Sequence, residues 1–342
     1  QAGYDGMLPQ TFILTGHSAG GRFATTAAAT FVENPDAVVT DLLGVVMFDG
    51  VSNGTFDGTF TAQQAVLDGA VNDIPVYQIA APAQAWNNFG ATTNQLLADR
   101  PGQFDGAVLV GGSHVDSMLG TNPIIDFVSQ LVTTFSPAGN TAAVYNLSTG
   151  WINDLYVGAT PDAPQYGFYS AAEGQIIMGS AAAVSLPSLF ANNLSPLDTV
   201  FKNLLDRVGS LFGLTPVPPV NTGLNGVTGY VKPPLSNGVT GVRTGSSSLL
   251  IPSGDNGVST LASWYFPTQA DGSVQANGVI WLQHGFLGFN TWYADMAQAL
   301  AQQQAVPGHA GMGENAADAQ GGQTGTGASG DMGPRTNISG GS

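Results

Sequence analysis

Thr11-Phe12-Ile13-Leu14-Thr15 is a short apolar run that leads straight into Gly16-His17-Ser18-Ala19-Gly20, and an alanine-rich stretch from Gly20 to Phe31 follows at once. The three pieces read as strand, sharp turn and helix. The turn is the strongest constraint on the fold. Small residues at positions 16, 19 and 20 let strand and helix come close, and the serine hydroxyl then stands clear at the positive end of a helix. With 47 glycines in 342 residues, the bare pattern G-x-S-x-G arises by chance roughly 0.4 times in such a chain. A glycine-rich turn is therefore the plain alternative, and the entering strand and leaving helix are what favour the sharper reading.

Three more apolar runs follow, Leu43 to Phe48, Ile74 to Ala80 and Ala107 to Val110. Helical or loop segments of about 20 to 30 residues separate them, the spacing of successive βαβ units in a parallel sheet. None shows polar alternation, as suits strands buried on both faces. Pro123 to Phe135 has helical spacing and Thr141 to Tyr156 adds another helix, whereas residues 157 to 188 are rich in Gly and Ala and show no clear period.

Ser195-Pro196 supplies an N-cap with proline at the first helical position. Leu197, Val200, Phe201, Leu204, Leu205, Val208, Leu211 and Phe212 then recur at three and four, which predicts an amphipathic helix. Leu214 to Gly238, with Pro216-Val217-Pro218-Pro219 and Pro233-Pro234, reads as a semi-extended linker. Beyond it, Ser248 to Pro252 and Leu261 to Phe266 flank Gly254-Asp255-Asn256-Gly257 as a hairpin, and Val279 to Leu282 is a further buried strand ending at His284-Gly285. Thr291 to Gln303 is predicted helical. Ala305 to Ser342 has almost no large apolar residue and is expected to be disordered.

Composition narrows the function classes. Seven Lys and Arg stand against 23 Asp and Glu, so a net charge of −16 repels phosphate backbones and anionic headgroups, and no nucleic-acid partner is expected. The absence of cysteine removes disulfides, thiolate metal sites and a cysteine nucleophile together. No run of 18 apolar residues and no basic n-region followed by an apolar core is present, so neither a transmembrane segment nor a signal peptide is expected within these residues. No metal-ligand cluster, P-loop or dinucleotide fingerprint points to a cofactor.

Ser18 as a nucleophile needs a histidine base on a later loop beyond the C-terminal edge of the sheet. Of the four histidines, His17 lies inside the turn, His284 belongs to the other glycine turn and His309 to the tail, leaving His114, which follows Gly111-Gly112-Ser113. An orienting acid must also stand at a strand's end, and Asp49 does so directly after Leu43 to Phe48; its plainer role is to cap the Asp-Gly turn. The next strand is followed by Ala80-Ala81-Pro82-Ala83-Gln84-Ala85-Trp86, without a carboxylate. Asp73 precedes that strand, at the wrong edge, and Asp116 is too near His114 to reach around its ring. A developing oxyanion needs two N–H donors, expected from the amides of Ala19 and of Phe286 in His284-Gly285-Phe286-Leu287-Gly288. Trp86, Phe286, Phe289, Trp292 and Tyr293 could wall an apolar acyl pocket, although such spacing equally suits plain core.

Thr11 to Gly21, the strand ending at Asp49, the segment Gly111 to Asp116 and the turn Val279 to Gly288 together resemble the α/β-hydrolase superfamily, and more closely an esterase or lipase-like hydrolase of mycobacteria and related actinobacteria. The resemblance covers roughly residues 8 to 190 and 240 to 303. It implies a mostly parallel sheet with helices on both faces and hydrolysis of a small-molecule or lipid carboxylic ester, with Ser18 as nucleophile, His114 as base and Asp49 as acid. Many members place the acid one strand later. It also implies secretion or a place in the cell envelope, with any signal outside these residues.

The segment order departs from that family. There the hairpin, the His-Gly turn and its helix come first, then a strand and helix, then the nucleophile turn. Here residues 1–190 carry the back half, an amphipathic helix at 191–213 and a linker at 214–238 follow, residues 239–304 carry the front half, and 305–342 form the tail; one strand-helix unit is not recognisable. A circular permutant is one explanation, since a linker of about 25 residues at ~3.1 Å each could cross a domain of this size. Two half-domains from a tandem array is the other, with the second oxyanion donor then supplied by a domain-swapped homo-oligomer. The family order would still set Val279 to Leu282 beside Thr11 to Thr15. An inactive surface-displayed binding domain, acting through its aromatic residues and Gly-rich tail, is the reading from a different class, and an incomplete hydrolase fragment is a third.

Overall fold

The computed structural model describes residues 11–34, 41–52, 58–70, 73–137, 139–169, 175–178, 181–185, 239–251, 258–274, 276, 278–285 and 288–302. The amphipathic helix, the linker, the tail and Phe286 lie outside the described residues. The elements are β1 (Thr11–His17), α1 (Ala19–Glu33), β2 (Asp41–Phe48), α2 (Gly58–Asp68), β3 (Val76–Ala80), α3 (Ala91–Asp99), β4 (Gly106–Leu109), α4 (Pro123–Val132), α5 (Asn140–Val157), β5 (Gln175–Met178), β6 (Ala181–Ser185), β7 (Val239–Ile251), β8 (Val258–Gln269), β9 (Val279–Gln283) and α6 (Ala294–Gln302).

The class is α/β. A seven-stranded sheet runs in the order β5-β6-β4-β3-β2-β1-β9, and its five strands β4, β3, β2, β1 and β9 are mutually parallel. Residues of alternate parity point to opposite faces. Ile13, Val46, Phe48, Ile79 and Leu109 pack on Val144, Leu147 and Trp151 of α5 and on Met296 and Leu300 of α6. Phe12, Leu14, Val45, Met47 and Val76 pack on Ala24 and Ala28 of α1, Phe60 and Leu67 of α2 and Leu96 of α3. Both faces are therefore covered, which is why the strands read as unbroken apolar runs. Val45, Val46, Met47 and Phe48 are all completely or almost completely buried, at ~1.5–3 kcal/mol for each such side chain. The end of β2 is thus a rigid base for whatever follows it.

β9 pairs with β1 from Phe12↔Val279 to Gly16↔Gln283, and Thr15 Oγ1 donates to the Trp281 carbonyl at 3.0 Å. A strand from the far end of the sequence therefore lies in the sheet beside the first. Among the described residues β9 is an edge, with Trp281 exposed.

Residues 157 to 188, without a period in the sequence, contain β5 and β6, and β6 joins β4 antiparallel. The hairpin is much longer than its apolar core suggested: β7 and β8 pair from Val239↔Gln269 to Ile251↔Val258 as a separate two-stranded sheet. Its hidden half is rich in Gly, Ser and Thr. A Cβ at Gly245 would stand 2.1 Å from the Trp264 ring, so any side chain there would have to displace it. No helix among the described residues is long and apolar enough to cross a membrane.

The two edges of the parallel strands differ. At their N-terminal ends Arg100, buried, pairs with Asp68 and lies 3.5 Å from Asp73 and 3.8 Å from Asp105. Burial, only partly offset by Arg100, pushes the Asp105 carboxyl up to about 7. This cluster braces the loops entering β3 and β4. The candidate residues collect at the opposite edge.

Candidate active site

Ser18 falls between β1 and α1 with φ 54° and ψ −126°. A non-glycine residue there costs on the order of 1–3 kcal/mol and persists only when its surroundings over-determine it. They do: the Ser18 amide donates to the Phe48 carbonyl at 3.1 Å, and its carbonyl accepts from the amides of Gly21 and Val51, both at 2.9 Å. The glycines have a steric cause. A Cβ at Gly16 would lie 2.0 Å from the Gly20 carbonyl oxygen, and one at Gly20 would lie 2.4 Å from that of Gln283. The turn is tight because strand, helix and the end of β9 converge on it.

Ala19 begins α1, which carries no acidic residue in its first turn and no side-chain cap. No described group accepts from the Ala19 amide, and Ala19 is exposed beside the serine. The His-Gly turn abuts the same place. A Cβ at Gly285 would stand 2.9 Å from Ser18 Cβ, and Gly288 N donates to the Gly285 carbonyl at 3.1 Å.

Asp49 follows β2, also at positive φ, with its amide bonded to the Ile79 carbonyl at 2.7 Å. Its Oδ2 lies 2.6 Å from His114 Nδ1. Its Oδ1 accepts from the Ala81 amide at 3.0 Å and from Asn87 Nδ2 at 3.2 Å. Asn87 cannot turn its amide over, because its Oδ1 already accepts from the amides of Gln84 and Gly90. The carboxylate is thus fixed on every side, and both it and the imidazole are buried. Sequence reasoning reached Asp49 and His114 but not this support: the loop after β3, which lacks a carboxylate, contributes a backbone N–H and an asparagine instead.

His114 rides on a braced loop. The Ser113 amide donates to Asp116 Oδ2 at 2.9 Å, and Ser113 Oγ meets Thr133 Oγ1 at 3.0 Å. Burial above all pushes the Asp116 carboxyl up to about 7, against the Ser113 hydrogen bond that pulls it down. A small cavity lined by Asp49, Ala81, Ser113, His114, Asp116 and Ser117 lies between the two carboxyls. With Nδ1 taken by Asp49, His114 has Nε2 left for proton transfer. No hydrogen bond joins it to Ser18 among the described residues.

The aromatic residues part company. Trp86 is half-exposed and donates its Nε1–H to the Val132 carbonyl at 2.8 Å. Phe289 is exposed and meets the half-buried Trp292 edge-on at 5.3 Å. Tyr293 is buried instead, with its hydroxyl 2.6 Å from His17 Nδ1. Next to Trp86, α4 turns Ile124, Phe127, Val128 and Leu131 to solvent and buries no residue. Asn122 caps it, accepting from the amides of Ile124 and Ile125, while Ile125 packs against Val115, Met118 and Tyr293.

Compared with known proteins, the chain matches no family model, no curated protein and no solved structure.

Proposed function

We propose that this chain is a serine-dependent carboxylic ester hydrolase of α/β-hydrolase type whose front segment follows its back segment. One observation carries the reading: a strained serine at the β1–α1 turn shares a sheet edge with a buried Asp49–His114 pair 2.6 Å apart. Buried carboxylate–imidazole pairs are useful where an imidazole must hold one tautomer and then bear a charge. In the proposed reaction Ser18 Oγ attacks the acyl carbon while His114 Nε2 takes its proton. The oxyanion is held by the Ala19 amide and, from the His-Gly turn, the Phe286 amide. His114 then protonates the departing alkoxide, and water repeats the sequence to free the acid and Ser18. The pairing of β9 with β1 in one chain supports a permuted order over two half-domains.

The test is Ser18→Ala. Wild-type protein should hydrolyse short p-nitrophenyl esters and take up a fluorophosphonate probe, and the variant should do neither while melting like the wild type. A rate that survives the substitution would sink the proposal. The exposed apolar face of α4 favours a second reading, a surface-binding domain without catalysis. An unreactive serine in folded protein would support that one.

A further inference from the structure

The mechanism leaves one buried histidine without a task. His17 Nε2 lies 2.6 Å from the His114 carbonyl oxygen, and since a carbonyl only accepts, Nε2 carries the hydrogen. A neutral ring then has a bare Nδ1, to which the Tyr293 hydroxyl at 2.6 Å must donate. The Tyr293 oxygen in turn accepts from the Gly285 amide at 3.3 Å. Every direction in the chain is thereby fixed: Gly285 N–H to Tyr293, Tyr293 O–H to His17 Nδ1, His17 Nε2–H to the His114 carbonyl. Burial foremost, with the His114 ring 4.8 Å away, pulls His17 down to about 3, so no proton competes for Nδ1.

This relay joins three parts of the chain that are far apart in sequence: the serine turn, the His114 loop and the segment after β9. We propose that His17 and Tyr293 are positioning residues through which the segment Val279–Gln302 fixes where the His114 base stands. The inference rests on the hydrolase reading. Asp49 fixes the imidazole of His114 and His17 fixes its carbonyl. The residue is then gripped at both ends, and its Nε2 has little freedom left. The geometry also couples the His-Gly turn to the base, because Gly285 lies against Ser18 and shares Tyr293 with His17.

The test combines long-range proton–nitrogen spectra of the imidazoles with steady-state kinetics on a p-nitrophenyl ester. Wild-type His17 should remain the neutral Nε2–H form from pH 8 down to 4.5. Tyr293→Phe should lower kcat about tenfold with KM within about twofold of wild type. His17→Leu should lose about a hundredfold, and His17→Gln, which keeps a donor for the His114 carbonyl, should recover most of that loss. A His17 that titrates near its ordinary value, or carries its proton on Nδ1, overturns the relay. So does a Tyr293→Phe enzyme whose Ser18-dependent kcat stays within about twofold of wild type. Hydrolysis that does not depend on Ser18 overturns the hydrolase reading and the positioning role with it, while the tautomer still reports whether the relay exists.

Discussion

Asp49→Asn is the change whose outcome the geometry fixes most tightly. An asparagine at 49 has two orientations. Its carbonyl can sit where Oδ1 is, accepting from Ala81 N and Asn87 Nδ2, so that its NH2 faces His114 Nδ1. Turned over, its NH2 would face two buried donors and forfeit both bonds, at about 1–3 kcal/mol for each group left unpaired. The first orientation wins because the imidazole can adapt by moving its own proton. Nδ1 then accepts and Nε2 carries the hydrogen, so under the proposed function His114 can no longer take the Ser18 proton. In triads of this kind the wrong tautomer lowers kcat by about 10⁴, or about 5.4 kcal/mol of barrier. The assay is kcat on a short-chain p-nitrophenyl ester near pH 7.5, with a thermal melt to show that the variant folds. A folded Asp49→Asn enzyme that loses less than about tenfold would refute the assignment of Asp49 as the orienting acid.

Two further changes test the frame around the site. Gly20→Ala places a Cβ 2.4 Å from the Gln283 carbonyl oxygen and 2.7 Å from that of His284. Because both obstacles are backbone, the cost should reach about 3 kcal/mol and the melting temperature should fall by about 6–12 °C; a fall under about 2 °C would mean that β9 does not dock there. Asp116, pushed up to about 7, holds a proton when folded that the unfolded chain releases above its ordinary value of 3.8, so its contribution is present below that value and is lost as pH rises towards 7. His17, pulled down to about 3, behaves oppositely and costs stability as pH falls below 6.5. Asp116→Asn removes the first effect alone, so urea melts should show the variant gaining on wild type by about 3 kcal/mol between pH 4 and pH 7.5. A difference that does not change with pH would show that Asp116 ionises normally.

Much of the candidate site was legible because its residues sit at strand ends, where the apolar runs stop. The run Thr11 to Thr15 led to Ser18, the run ending at Phe48 led to Asp49, and the glycines after β4 led to His114. What could not be read were groups whose role depends on a distant partner. The amide of Ala81 has no side-chain signal, and Asn87 belongs to an irregular turn in which Asn88 and Phe89 take positive φ. Spacing alone cannot tell a buried Tyr293 hydroxyl on His17 from an exposed ring in a pocket wall. The helices α2 and α3 were legible only as spacers, since Thr, Gln and Ala give them a weak apolar stripe. β5 and β6 are short and rich in alanine or isoleucine, and so carry no period long enough to count.

Segment order affects how a chain closes its loops far more than which contacts the folded state makes. Each doubling of a flexible connection costs only about 0.6 kcal/mol, less than one fully buried strand residue contributes. A strand delivered late in the sequence can therefore take a place beside β1 as readily as one delivered early. What it must bring is the right edge, and here the edge is specific: Gly20 admits only the close passage of Gln283, Gly285 lies against Ser18, and Tyr293 reaches His17. These contacts fall within a few residues of the candidate nucleophile. Under the proposed function, completing the sheet and completing the catalytic geometry are the same docking event, so whatever loosens β9 should slow chemistry before it unfolds the core.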